Sequence, residues 1–200
     1  MYFCTVKKSR IINAFVVLGT ILKELSENNP YSAAVSMLTE EEYAEVNEVI
    51  QREFHYNGWF TEDSIRQAFG EIANWLTAEQ LNDWTSRYTE NTDKKNIAVI
   101  MAGNIPLVGF HDFLCVLLSG HQVICKQSSE DARLLPALVK LLLLFEPDLS
   151  ERIRFSDRKL VDYHAVIATG SNNSMLHFEQ YFSHVPHLFR GHRTSVAVLT

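Results

Sequence analysis

The stretch from Asn96 to Glu130, NIAVIMAGNIPLVGFHDFLCVLLSGHQVICKQSSE, constrains the fold of this chain more than any other. Ile97–Met101 is a near-continuous apolar run of strand length, the form taken by strands covered on both faces of a parallel sheet. Gly103-Asn104-Ile105-Pro106 breaks that run, and an apolar helix is expected over Leu107–Leu118. A second short strand, Gln122–Cys125, then ends at Lys126. Strand, turn, helix and strand make a βαβ unit, and its crossover is right-handed in nearly all sheets.

The alternation continues. Helices are expected over Asp131–Phe145 and Asn172–Phe182, and strands over Arg152–Phe155, Ala165–Ala168 and Ser195–Leu199. Residues 94–200 therefore read as a Rossmann-like, mostly parallel α/β domain, and residues 1–93 as a separate helical region. In that region Ile11, Ile12, Phe15, Leu18, Leu22 and Leu25 recur at three- and four-residue steps and form one apolar stripe. Thr39 with Glu42 is a capping box, Asn57-Gly58 is a stop, and Thr61 and Thr77 head two further helices. Polar residues from Thr89 to Lys95 link the two regions.

Charge narrows the function. The net charge is −6, which disfavours nucleic acid as a partner, because phosphate binding needs clustered Lys and Arg. The acidity is local: residues 39–93 hold 13 acidic and 3 basic side chains, residues 94–200 hold 9 and 11. The α/β part is thus slightly basic, as an anionic cofactor would favour. Leu134–Phe145 is too short to span a bilayer and contains Lys140. Three scattered cysteines, Cys4, Cys115 and Cys125, suit a reducing compartment, so a cytoplasmic protein is expected.

Ligands of open α/β sheets bind at the carboxyl ends of the strands, and three loops there carry polar groups. Gly103 permits unusual dihedrals after the first strand, and Pro106 suits the first turn of a helix. The amide of Asn104, held between them, is placed either to donate to an oxyanion or simply to cap the helix. Lys126, followed by Ser128, ends the second strand, where a cation accommodates a ribose 2′-phosphate; a solvated surface lysine before a Ser N-cap is the alternative. Gly170-Ser171 heads a helix whose first N–H groups suit a pyrophosphate, or else form an ordinary turn and cap. Gly-x-Gly-x-x-Gly, the dinucleotide fingerprint, is missing after the first strand. His184, His187 and His192 fall in loop or edge structure without acidic or cysteine neighbours, so no metal site is expected. Cys115 and Cys125, in an apolar helix and an apolar strand, read as inert core thiols.

Taken in order, GNIPL, LLSGHQVICKQSSED, DYHAVIATGSNNSMLHFEQYF and RGHRTSVAVLT resemble the acyl-CoA reductase branch of the aldehyde dehydrogenase superfamily, a branch that includes the fatty-acid reductase of bacterial luminescence. The resemblance covers Asn96–Thr200 and, more loosely, INAFVVLG and LNDWTSRY in the helical part. It implies an oxidoreductase that uses NADPH to reduce a long-chain fatty acyl-CoA to the aldehyde through a thioacyl-enzyme. It also implies roles: Asn104 holds the oxyanion, Lys126 contacts the adenosine ribose, and Gly170 and Ser171 lie beside the pyrophosphate. The family's Lys-Pro-Ser-Glu is altered here, with Gln127 in place of proline and Ser129 inserted before Glu130. The nucleophilic cysteine of the family has no counterpart among these residues, so the chain reads as the cofactor part alone, truncated before the catalytic half and inactive by itself. A non-catalytic nucleotide- or partner-binding module, and a relative acting on a small aldehyde, are the competing readings. A homo-oligomer of the full-length protein stays open.

Overall fold

A computed structural model describes residues 7–88, 93–191 and 196. Four helices come first: α1 (Lys8–Ser26), α2 (Glu40–Arg52), α3 (Glu62–Trp75) and α4 (Ala78–Ser86). Their starts are set by side chains. Thr39 and Glu42 cap α2 reciprocally, while Thr61 accepts from Ser64 N–H and Thr77 from Gln80 N–H at the heads of α3 and α4. Each cap satisfies a backbone donor that a helix end otherwise leaves unpaired. The α1 stripe is the seam of this part, since Ile11, Phe15, Leu18, Ile21, Leu22 and Leu25 are all buried.

The remaining elements are β1 (Asn96–Ile100), α5 (Phe110–Leu118), β2 (Gln122–Lys126), α6 (Leu134–Phe145), β3 (Ile153–Phe155), β4 (Ala165–Thr169), α7 (Asn172–Phe182) and β5 (His187–Arg190). Among the described residues the five strands are parallel and lie in the order β3-β2-β1-β4-β5. The chain steps outward from β1 to β2 and β3, then returns to the other side of β1 with β4 and β5. The strand order therefore reverses beside β1, which makes that point the topological switch.

Residues alternate across the sheet with a period of two. Ile97, Val99, Val123 and Cys125 face a core shared with α1, α3, α5 and α6. Ala98, Ile124, Val166 and Ala168 face the opposite side, against Phe178 and Phe182 of α7 and Leu160. The first core is continuous from Ile11 to Leu149, so the front helices pack directly on one layer of the α/β part. Polar ties reinforce this: Arg10 of α1 donates to the buried Glu146 at 2.7 Å, and Lys140 of α6 pairs with Glu45 of α2.

Three expectations are corrected. The helix after Gly103 begins at Phe110 with Gly109 as its cap, because Asn104–Gly109 is spent in a turn in which Leu107 takes φ +57°. The next helix begins at Leu134, since Ser129–Asp131 forms a separate turn of 3-10 helix. A strand not anticipated, β5, pairs with β4 through Val166 and His187. The expected strand Ser195–Leu199 lies outside the described residues, as do Cys4 and His192. Among the described residues no helix is long and apolar enough to cross a membrane.

Candidate cofactor site at the carboxyl edge of the sheet

Because all five strands run the same way, their carboxyl ends share one edge. Ile100 is in register with Lys126 on one side and with Ala168 on the other. The loops that follow β1, β2 and β4 thus emerge side by side, and they carry Gly103-Asn104, Lys126 with Ser128, and Gly170-Ser171.

Gly103 is required by contact, not by backbone conformation, for its φ is not positive. A Cβ at this position would lie 2.7 Å from Ser128 Oγ and 2.9 Å from Glu130 Cβ. The β1 turn and the β2 loop therefore touch backbone to side chain, with no room for a methyl group. Asn104 next to it is exposed, and its amide has no hydrogen-bond partner among the described residues. It does not cap α5, whose cap is Gly109 five residues on. That disposes of the capping alternative and leaves the amide free.

Lys126 closes β2, and its Nζ donates to the carbonyls of Asp157 and Arg158, at 3.4 and 3.1 Å. The lysine thus draws the loop after β3 against the end of β2. Ser128 Oγ accepts from Glu130 N–H at 3.2 Å. Asp131, buried at the end of this loop, accepts Leu107 N–H on Oδ2 at 2.7 Å. Burial pushes the Asp131 carboxyl up to about 6, against the lowering effect of that hydrogen bond. The helical part reaches the same loop, since Asn57 Nδ2 donates to the carbonyl of Glu130 at 3.1 Å.

At β4, Ser171 caps α7 by accepting Ser174 N–H at 3.2 Å. The N–H groups of Asn172 and Asn173 have no protein partner among the described residues and stand at the positive end of the helix. A Cβ on Gly170 would meet Ser174 Cβ at 2.8 Å, so glycine lets α7 start close against β4. Arg190, at the end of β5, donates to the buried Asp112 of α5 at 2.8 Å, tying the end of β5 to the first turn of α5. Neither residue carries a local sequence signal; the pair is separated by 78 positions.

Other residues fall elsewhere. His187 stacks on Phe189, with centroids 4.2 Å apart, and His184 lies against Tyr163. Cys125 is buried, and burial pushes its thiol up to about 12. Cys115 is only half-buried, with its sulfur 3.7 Å from His111 Nδ1, a contact the apolar reading of its helix did not anticipate. No group of three or more metal-ligating side chains occurs among the described residues.

The sequence matches the family described as acyl-CoA reductase (LuxC) over residues 15–198. The chain belongs to this family. No curated protein matches its sequence. Among solved structures, this acyl-CoA reductase family member is similar to an NAD-dependent benzaldehyde dehydrogenase from Corynebacterium glutamicum. Identity there is 13% and the TM-score 0.46, over 92% of this chain and 44% of that one. It is also similar to a 3,6-anhydro-L-galactose dehydrogenase in complex with NAP, at 13% identity and a TM-score of 0.45, over 94% of this chain and 42% of the other. The chain spans less than half the length of either structure.

Proposed function

We propose that the protein reduces a long-chain fatty acyl-CoA to the aldehyde with NADPH, and that these residues form the cofactor cradle and the oxyanion donor. The observation that carries the reading is the convergence of three polar loops on one sheet edge at the switch point, in a member of the acyl-CoA reductase family.

The residues present fit a dinucleotide. The free N–H groups at the start of α7, with Gly170 and Ser171, suit the pyrophosphate, because a helix N-terminus directs donors and partial positive charge at an anion. Lys126 and Ser128 suit the adenosine ribose and its 2′-phosphate. Gly103 seats the β1 turn directly against Ser128, so Asn104 and Lys126 stand on adjoining loops. Bound there, NADPH supplies the hydride that takes the acyl thioester to the aldehyde.

Asn104 acts on the substrate. As a thiolate attacks the thioester carbonyl, negative charge develops on that oxygen, and the unpartnered amide donates to it. A donor in this role typically contributes a factor of roughly 10²–10³ to the rate. Cys125 is too deeply buried to be the thiolate.

The test is to supply the full-length protein with NADPH and acyl-CoA thioesters of graded chain length, and to follow NADPH oxidation with aldehyde by mass spectrometry. Stoichiometric aldehyde, and a drop of at least tenfold in kcat for Asn104→Ala, are expected. NADPH binding without any aldehyde from any thioester overturns the enzymatic reading in favour of a nucleotide-binding module.

A further inference from the structure

We propose that Asp131 is a positioning residue that fixes the turn carrying Asn104. The inference rests on the reading of Asn104 as the oxyanion donor, and it adds a residue that neither the family match nor the sequence motifs assign.

The turn from Gly103 to Leu107 is seated at both ends on one loop. At its start, Gly103 lies against Ser128 and Glu130 with no space for a side chain. At its end, Asp131 Oδ2 accepts the buried Leu107 N–H at 2.7 Å. Leu107 has φ +57°, a left-handed conformation that a branched side chain rarely adopts and that persists only where the surroundings hold it. Its side chain is 5% exposed, so packing fixes one half of the residue and Asp131 the other. Without the carboxylate, the Leu107 N–H would be buried and unpaired, and the turn would keep only the bond from Phe110 N–H to the Leu107 carbonyl at 2.9 Å.

The loop is itself anchored. Gln127 Nε2 donates to the carbonyl of Asp131 at 3.0 Å, and Asn57 Nδ2, from the helical part, donates to the carbonyl of Glu130 at 3.1 Å. Asp131 is 6% exposed, and its Oδ1 has no partner, so this acid is held inside the protein for a single hydrogen bond. Retaining a charged group for one contact makes sense where the contact fixes something that matters. Between the two seats stands exposed Asn104, whose amide must be held to within about 0.5 Å of a position roughly 2.7–3.1 Å from the reacting oxygen to act on it.

The experiment compares Asp131→Ala, Asp131→Asn, Asn104→Ala and the Asp131→Ala/Asn104→Ala double variant in the full-length protein. Two quantities are read: amide hydrogen exchange over residues 103–110, and kcat with KM for NADPH in acyl-CoA reduction. Asp131→Ala is expected to speed exchange in that peptide at least tenfold and to lower kcat at least tenfold, with KM for NADPH within threefold. Asp131→Asn, which keeps an acceptor, is expected to restore both to within threefold. On the Asn104→Ala background, Asp131→Ala should lower kcat by less than twofold further, because the group it positions is gone. Asp131→Leu keeps volume without an acceptor; it serves if the alanine variant does not fold and should behave like it. Unchanged exchange, or effects of the two substitutions that multiply, overturns the inference while the Asn104 reading stands. An unchanged kcat in Asn104→Ala overturns that reading first and the inference with it, whatever the exchange shows.

Discussion

Arg133 donates from Nε and from a terminal nitrogen to the two carboxylate oxygens of Glu53, at 2.8 and 2.9 Å, while its guanidinium carbon lies 3.4 Å from the ring centroid of Tyr56. This bidentate pair joins the end of α2 to the start of α6. Its two members are unequal: Glu53 is fully buried, whereas the Arg133 side chain is one-third exposed. Removing the arginine therefore strands a buried charge, and removing the glutamate frees a cation that reaches water. Arg133→Ala is expected to cost about 3–5 kcal/mol, and Glu53→Ala clearly less. Urea unfolding of both variants measures the asymmetry; equal losses would count against it.

Gly103→Ala is predicted to destabilise the protein by about 1–3 kcal/mol, since the new Cβ would meet Ser128 Oγ at 2.7 Å and Glu130 Cβ at 2.9 Å. Ser128→Gly clears the first obstruction but leaves the second. The double variant should recover part of the loss, and the coupling is read from a double-mutant cycle on thermal midpoints. Strict additivity would show that the two loops do not meet.

Asp131 makes stability depend on pH. Burial raises its carboxyl to about 6, whereas an unfolded aspartate titrates near about 3.9. Between those values the folded state holds a proton that the unfolded state has released, so stability falls as pH rises from about 4 to about 6 and is level above. Asp131→Asn removes the charge and keeps the acceptor. It should be more stable than the parent at pH 7, by on the order of 2–3 kcal/mol, and equal to it near pH 4. Urea midpoints at four pH values test this, and a difference that does not change with pH would refute it.

Legibility in the sequence tracked the range of the forces involved. The apolar strands β1, β2 and β4, the Thr39–Glu42 capping box and the bounds of α7 rest on local periodicity and local caps, and all were visible. Strand β5 was not: His187–Arg190 is four residues long, half-exposed, preceded by Pro186, and held by pairing with β4 and by contacts distant in sequence, such as Arg190 to Asp112. The late start of α5 was hidden too, because Leu107 takes its conformation from packing and from Asp131, 24 residues away. The edge was readable by residue type at Asn104, Lys126 and Ser171. Its bracing by Asn57 to Glu130, Glu53 to Arg133 and Asp112 to Arg190 spans 73 to 80 positions and leaves no local trace.

The two described cysteines should differ in reactivity. Cys125 is buried with its thiol pushed up to about 12, and alkylation of the thiolate must wait for unfolding. Cys115 is half-buried on α5 beside His111. Intact-mass measurement after brief iodoacetamide treatment, with peptide mapping, should find Cys115 modified and Cys125 unmodified in the folded protein. Equal labelling of both without denaturant would contradict the burial of β2.

Lys126 carries the last prediction. Its Nζ already donates to the carbonyls of Asp157 and Arg158, so it is oriented by the β3 loop before any ligand arrives. Pre-orientation lowers the entropy lost when a flexible cation meets a phosphate. A charge-assisted hydrogen bond of this kind contributes roughly 1.5–3 kcal/mol. Lys126→Ala should therefore weaken NADPH binding by roughly 10- to 150-fold. NADH binding should change much less, since it presents no 2′-phosphate. The β3 loop also loses its tether, so Lys126→Met, which keeps most of the stem, serves as the control for packing. Isothermal titration with both nucleotides gives the two ratios directly. An unchanged preference in both variants would move 2′-phosphate recognition to other residues and leave Lys126 a structural clamp on the loop it holds.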